Sequence, residues 1–464
     1  MALITSFSGI RGIYGKDLTE DDAIRYAYSY LSFLKDKTGK NAITIVIGMD
    51  TRTSGAKLSD AITGILDCNF IKVGILPTPA IEFAVRHFGA DGGIIITASH
   101  NEPYWNGFKF LNNDGAVLRE NEMSTVIRNS NHFKNFNKIQ DRNIVEKHDE
   151  AVKRYSDFLF DIIGALNIRK IKASKQKIVI DPNGGAGIVA KNILEQIGAD
   201  VISLNMQPGE FNRTVEPTED SLVYLKAKVD ENNADFAAGF DCDADRLEIL
   251  MDNGKLVSGH YILAIVVNEM LSMHDNPKGQ TVIVNDATSN IVRDIAEKFG
   301  AKVKEVEVGE TNVVEEMKKS KSIVGGEGSS GGAIIAPSRC RDGILTLLLI
   351  LSIIAKKQKK LREIIEEFPK YYTLRKKIGF DPGNHDKIKN FIKNYYLKKG
   401  FEIKETGGIK GGLKAIKGKS AFAWFRASKT EAGIFRIISD SNKEVEAKQL
   451  LDEAVQVFEN AQRQ

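Results

Sequence analysis

Three aspartates at alternate positions, Asp241, Asp243 and Asp245, close a run that begins Gly239-Phe240 and ends at Arg246. Carboxylates gathered at such spacing repel one another, and a cation removes the conflict. An all-oxygen donor set suits Mg²⁺ or Mn²⁺ rather than Zn²⁺, and an incomplete set of protein ligands leaves room for a phosphate oxygen. A calcium EF-hand loop also opens Asp-x-Asp-x-Asp, but it requires Gly at its sixth position and usually Glu at its twelfth. Here those positions hold Arg246 and Asp252, and the chain runs straight into strand-like Leu247 to Met251, so that motif is rejected.

A second chemically loaded stretch runs from Ile94 to Lys109. Three β-branched residues feed a small polar turn carrying Thr97, Ser99, His100 and Asn101, which reads as a buried strand delivering a hydroxyl at its carboxyl end. Ligands of open α/β sheets bind at that edge. Ser99 is therefore a candidate nucleophile with His100 beside it, and Pro103 and Gly107 frame a loop ending in Lys109. Two further loops bear on binding. Gly325 to Gly332 is glycine-rich without matching the P-loop or dinucleotide pattern, and Glu327 with Ser329 or Ser330 could grip sugar hydroxyls. Arg426-Ala-Ser428-Lys429-Thr430-Glu431, followed by Gly433 and Arg436, clusters hydroxyls and cations in the manner of a phosphate site. Near the start, Ser6, Ser8 and Arg11 share a glycine-bounded turn. Each of these taken alone reads equally well as an ordinary polar turn.

The elements that must position these loops repeat. Ile43 to Asp50, Lys177 to Asn183 and Thr281 to Asp286 each read as a buried strand followed by a polar turn and a helix. Each unit leads to a second short apolar strand, at Gly92 to Thr97, Ala234 to Phe240 and Ser322 to Gly325, and each second strand ends in one of the loops above. Strand–helix alternation of this kind predicts mostly parallel sheets covered by helices. After Lys370 the pattern changes to an α+β arrangement: a strand from Tyr371 to Phe380, a helix near His385 to Lys399, strands at Ala421 to Arg426 and Ile434 to Ile438, and an amphipathic helix from Glu444 to Ala461. The predicted segments are 1–150, 151–259, 260–370 and 371–464.

Composition narrows the function classes. With 42% hydrophobic and 27% charged residues the chain has the make-up of a globular protein, and its 464 residues can bury ample core. A net charge of +4, with Lys interleaved among acidic residues, offers no concentrated basic face for nucleic acid. Three dispersed cysteines, Cys68, Cys242 and Cys340, predict reduced thiols rather than a disulfide framework. The start Met-Ala-Leu-Ile-Thr-Ser lacks the features of a signal peptide. The longest apolar run, Ile344 to Ala355, falls short of the ~20 residues of a membrane helix and predicts a buried one. A cytoplasmic protein without membrane or nucleic-acid partners is expected.

In this order the motifs resemble the α-D-phosphohexomutase superfamily across essentially the whole chain: Ser-Gly-Ile-Arg-Gly at 8–12, Thr-Ala-Ser-His-Asn at 97–101, Asn-Gly-Phe-Lys at 106–109, Asp-x-Asp-x-Asp-Arg at 241–246, Gly-Glu-x-Ser at 326–329 and Arg-x-Ser-x-Thr-Glu at 426–431. The resemblance implies an α/β protein of four domains around a central cleft, three related α/β units with mixed sheets and a C-terminal α+β domain. It implies that Ser99 is the phosphorylated serine and, with Asp241, Asp243 and Asp245, a ligand of Mg²⁺. Arg11, His100, Lys109 and Arg246 match positions lining the transfer site, with Lys109 the candidate for proton transfer. Glu327 and Ser329 match sugar contacts, and Arg426, Ser428 and Thr430 match the loop for the non-reacting phosphate.

The implied activity interconverts 6-phospho and 1-phospho sugars through a phosphoserine and a hexose 1,6-bisphosphate, in a monomer or homodimer. The serine-rich sugar loop followed by Arg341-Asp342 is closer to a subgroup assigned as phosphoglucosamine mutases, with phosphomannomutase/phosphoglucomutase as the alternative. A sugar-phosphate phosphatase and a non-catalytic sugar-phosphate binding paralogue are the competing readings. Ala432 replaces the Pro found in related fourth loops, and Arg436 lies one residue further from Glu431.

Overall fold

The computed structural model describes residues 3–6, 9–131, 143–408, 410–428, 431 and 433–463. The chain divides into two compact units, Met1–Val257 with Gly332–Leu361, and Ser258–Gly331 with Arg362–Gln464.

The first unit holds two α/β sheets. One has seven strands, in which Thr44–Met49 lies parallel to Gly92–Ile96 and Asn69–Ile75, while Gly92–Ile96 is antiparallel to Trp105–Asn112, which in turn pairs with Gly9–Ile13. The fully buried Gly-Gly-Ile-Ile-Ile run forms a central strand because both faces are covered. Gly92 is required there: a Cβ would lie 2.0 Å from the Tyr30 hydroxyl, which accepts from the Gly93 N–H and donates to the Leu111 carbonyl. The second sheet has five strands, with Phe236–Phe240 parallel to Lys177–Asp181 and antiparallel to Leu247–Met251. The sheets are thus mixed, with parallel βα pairs flanked by antiparallel strands.

The apolar run at Ile344 is a helix, Gly343–Lys357, buried along nearly its whole length. It packs on Ala165–Ser174 and His148–Ile163 within the first unit. Asp342 caps it through a bond from the Leu345 N–H and accepts the Tyr155 hydroxyl at 2.9 Å. Burial pushes the Asp342 carboxyl from its ordinary 3.8 up to about 6, against the donors around it. Because the folded-state value lies above the unfolded one, the folded chain holds this proton more tightly, and stability falls as pH rises from about 4 to about 6. The displacement of about two pH units corresponds to about 3 kcal/mol. Asp342→Asn keeps an N-cap acceptor and removes the buried charge. Urea unfolding across pH should show the variant more stable than the parent by about 1–3 kcal/mol at pH 7.5, with the gain vanishing near pH 4. A variant less stable at pH 7.5 would contradict this account.

In the second unit, Thr281–Asn285 lies parallel to both Lys302–Val306 and Val324–Gly326. The C-terminal segment forms a five-stranded sheet in the order Tyr372–Gly379, Ile434–Ser441, Ala421–Ala427, Leu413–Lys417 and Glu402–Glu405, antiparallel throughout. Helices His385–Lys398 and Glu444–Arg463 bury their apolar faces against it. Buried Lys414 ties this sheet to Lys302–Val306 through Glu305 at 2.8 Å, and the Asp440 carboxylate accepts from the Asn290 N–H at 2.9 Å. Among the described residues no helix is long and apolar enough to cross a membrane.

Candidate active site

Strand register puts the first group of residues together. Arg11 stands directly opposite Gly107, and Ile95 opposite Lys109. Opposed residues of an antiparallel pair project to one face, and Gly107 and Lys109 share a face by the two-residue period, so Arg11 and Lys109 emerge side by side. Gly107 permits this approach, since a Cβ there would lie 2.0 Å from the Ile10 carbonyl oxygen. Ser99 follows the carboxyl end of Gly92–Ile96 with φ +50°, a left-handed conformation that a serine rarely adopts. Its N–H is held by the Thr97 hydroxyl at 2.8 Å, and its own hydroxyl donates to Asp241 Oδ2 at 3.3 Å.

Asp241, Asp243 and Asp245 occupy the turn between Phe236–Phe240 and Leu247–Met251, with Ala244 also left-handed at φ +52°. That turn folds the alternate carboxylates inward. One oxygen of each lies within 4.8 Å of the others, and all three side chains are buried. Burial and then the charges of Asp245 and Asp243 push the Asp241 carboxyl well above the usual carboxylate range. Burial acts upward on Asp243 too, but the Lys109 ammonium, the Thr78 hydroxyl and Arg11 outweigh it and hold that carboxyl below its ordinary value. Lys109 Nζ is 2.8 Å from Asp243 Oδ2 and 3.7 Å from Asp245 Oδ2. The donor set fits a divalent cation: all ligands are oxygens, and Oδ1 of Asp243 and Oδ1 of Asp245 are buried without a hydrogen-bond partner.

Cations surround the cluster. Arg246 Nε lies 3.8 Å from both Asp241 and Asp245, while its Nη1 pairs with Glu216 at 2.7 Å. Arg11 Nη1 donates to Asn101 Oδ1 at 3.0 Å. Burial, reinforced by Arg246 and Arg11, pushes the His100 imidazole far below its usual value, so it is neutral at physiological pH, with Nδ1 buried and unpartnered. Such a ring can orient a group by hydrogen bonding but carries no charge into the site.

Two members of this constellation escaped the sequence reading. Thr78, between two prolines at the start of the helix Thr78–His87, donates its hydroxyl to Asp243 Oδ2 at 2.6 Å and its N–H to the Asp243 carbonyl at 2.9 Å. Its only local signal was the Pro-Thr-Pro run. Arg341 Nη2 reaches Asp245 Oδ2 at 3.4 Å. The Arg-Asp pair was visible in the sequence, but nothing nearby pointed it at a loop almost a hundred residues away.

The second group lies in the second unit. Glu327 Oε1 accepts from Asn285 Nδ2 and from the Gly309 N–H, each at 2.9 Å. Ser329 is exposed and Ser330 half-buried. Arg426 Nη2 pairs with Glu307 Oε1 at 2.9 Å. The short run Glu307–Gly309 therefore touches both the sugar-loop glutamate and the arginine of the fourth loop. The Ser428 hydroxyl accepts from the Glu431 N–H at 3.1 Å, and the Ser428 N–H bonds the Ile434 carbonyl at 2.8 Å, which closes the hairpin. Thr430, Ala432 and Ser8 lie outside the described residues.

The phosphoglucomutase/phosphomannomutase family models for α/β/α domains I, II and III match residues 3–135, 153–254 and 258–372. A phosphoglucomutase/phosphomannomutase of Thermococcus kodakarensis is 34% identical over 462 residues, covering 98% of each chain. A probable phosphoglucosamine mutase of Pyrococcus horikoshii is 32% identical over 96% of each. A family protein of Burkholderia thailandensis has the same fold, with a TM-score of 0.81 at 20% identity over 99% of this chain and 97% of that one. Three α/β domains in sequence, an α+β domain after them, and relatives matched end to end place the chain in the phosphoglucomutase/phosphomannomutase family of phosphohexomutases.

Proposed function

We propose that the chain interconverts a hexosamine 6-phosphate and the corresponding 1-phosphate, with Ser99 as the phosphoryl carrier and a 1,6-bisphosphate as the intermediate. The observation that carries the reading is the Ser99 hydroxyl, held at the edge of three buried carboxylates among Arg11, Lys109 and Arg246. Phosphoryl transfer depends chiefly on alignment and on neutralising charge spread over the equatorial oxygens. Mg²⁺ held by Asp241, Asp243 and Asp245 would supply part of that neutralisation.

The chain's own residues account for the remaining chemistry. A sugar hydroxyl attacks the phosphorus of phosphorylated Ser99; the new sugar O–P bond forms as the P–Oγ bond breaks, and in net a proton passes from the attacking hydroxyl to the Ser99 oxygen. Lys109, an ammonium beside the same carboxylates, would give a proton to the Ser99 oxygen as the P–Oγ bond breaks and, then neutral, take the proton of the attacking hydroxyl. The resulting bisphosphate then returns its other phosphate to Ser99 by the reverse exchange. Glu327 and Ser329 would hold sugar hydroxyls, and Arg426, Ser428 and Thr430 the non-reacting phosphate. We place the enzyme in the cytoplasm as a monomer or homodimer.

The Arg341-Asp342 pair and the probable phosphoglucosamine mutase relative favour the amino sugar. The Thermococcus kodakarensis relative, the more identical of the two, favours mannose and glucose phosphates as the second reading. A ³¹P NMR time course decides between them. Glucosamine, mannose and glucose 6-phosphates are each supplied with Mg²⁺ and a trace of the matching bisphosphate. The 1-phosphate of glucosamine should accumulate fastest. Fastest conversion of mannose or glucose phosphate would favour the second reading, and steady release of inorganic phosphate without a 1-phosphate would make the enzyme a phosphatase.

A further inference from the structure

Arg52 takes no part in the chemistry described above, yet it is fully buried directly beneath the loop that carries Ser99. Its Nη2 donates to the carbonyls of Ser99 at 2.7 Å and Asn101 at 2.6 Å, and its Nη1 to those of Glu102 at 2.6 Å and Trp105 at 2.9 Å. A single guanidinium thus gathers four carbonyls from one seven-residue stretch of backbone, a geometry that needs the planar fork and that an ammonium does not reproduce. The fork is itself aimed. Arg52 Nε donates to Asp50 Oδ2 at 3.0 Å, and the same oxygen accepts the Thr97 hydroxyl at 2.6 Å. Thr97 in turn receives the Ser99 N–H, which closes a ring of bonds from Arg52 through Asp50 back to Ser99. Ser99 sits in a left-handed conformation that costs free energy in a residue with a Cβ and persists only where the surroundings over-determine it.

Within the loop the Asn101 N–H bonds the Ala98 carbonyl and the Trp105 N–H that of Glu102; from outside, the Tyr14 N–H bonds the Tyr104 carbonyl at 3.1 Å and Arg11 the Asn101 side chain at 3.0 Å, each a single bond where Arg52 makes four. Asp50 and Arg52 come from the end of a different strand, Thr44–Met49, which is parallel to the one that delivers Ser99. The clamp therefore references the Ser99 oxygen to the rigid sheet.

We propose that Arg52, aimed by Asp50, is the positioning residue that holds the Thr97–Trp105 loop so that the Ser99 oxygen occupies one place both when it gives up and when it takes back a phosphoryl group. The proposal rests on Ser99 as the carrier. A reaction that uses the same oxygen as leaving group and then as nucleophile is doubly exposed to its misplacement, and an error of about 1 Å can cost roughly 100-fold in rate.

The test is Arg52→Lys in the full-length protein with Mg²⁺, read by steady-state kinetics and by hydrogen exchange of the loop amides. Expected are a kcat lower by about 100-fold with KM changed by less than about 3-fold, and faster exchange confined to residues 97–105. Asp50→Asn, nearly isosteric, should show the same pattern at about 10-fold and serves as the readout if Arg52→Lys does not fold. An unchanged kcat, a proportionate rise in KM, or exchange that quickens equally through Thr44–Met49 would overturn the clamp. Hydrogen exchange is independent of turnover, so if Ser99→Ala proved fully active, the carrier assignment would fall while the exchange result still judged the clamp.

Discussion

Ser99→Ala is expected to lower mutase turnover by at least about 10⁴-fold while leaving the fold intact. Loss of a covalent nucleophile removes the whole two-step route rather than one stabilising contact, and such deletions in other enzymes cost on the order of 10⁴ to 10⁶. The structural effect should be small by comparison. Among the described residues the Ser99 side chain makes one hydrogen bond, at 3.3 Å to Asp241, and alanine meets the same left-handed backbone requirement that serine already meets. The bonds from Arg52 run to backbone carbonyls, which the substitution leaves in place. The melting temperature should therefore stay within about 3 °C. The measurement is the ³¹P NMR conversion assay together with transfer of label from a ³²P-bisphosphate to protein. The parent should become labelled and the variant should not. Turnover above about one hundredth of the parent would remove Ser99 from the carrier role.

Asp243→Asn should weaken Mg²⁺ binding by roughly 30- to 1,000-fold. The amide keeps an oxygen at the same place but removes one of the negative charges in the cluster. An interaction of charges at about 4 Å in a medium of effective dielectric ~20 is worth about 4 kcal/mol, so a loss of about 2–4 kcal/mol is the expected scale. In the metal-free protein the consequences oppose one another. Lys109 loses the charge of its 2.8 Å partner and retains that of Asp245 at 3.7 Å, a destabilising change, while Asp241 loses a repulsive neighbour. The clean readout is therefore the metal-dependent part. Millimolar Mg²⁺ should raise the melting temperature of the parent and leave that of the variant nearly unmoved, with calorimetric titration giving the affinity ratio. Equal Mg²⁺ affinities would exclude Asp243 as a ligand.

The same arithmetic explains the crowd of cations here. Three buried carboxylates without counter-charges would be protonated rather than ionised. Lys109, Arg11, Arg246 and Arg341 come from four separate stretches of chain, and each lies within the electrostatic reach of the cluster. Thr78 adds a neutral donor to the carboxylate that Lys109 holds.

What the sequence determined by itself was local. Ile94 to Ile96 dictate a strand because they can be buried on both faces, the apolar run at Ile344 dictates a buried helix, and alternate aspartates after a strand dictate a turn that must manage its own charge. The loop chemistry was legible because each loop carries its residues within a few positions of one another. Tertiary structure alone decided which groups meet. Lys109 and Asp243 are 134 residues apart, Ser99 and Asp241 142, and Arg341 and Asp245 96. These meetings depend on strand register, on Gly107 letting Arg11 approach, and on how two sheets pack within one unit. The role of Arg52 was invisible for a related reason: its partners are backbone carbonyls, which every residue possesses, and no side-chain type at 99, 101, 102 or 105 announces that its carbonyl will turn toward a buried guanidinium.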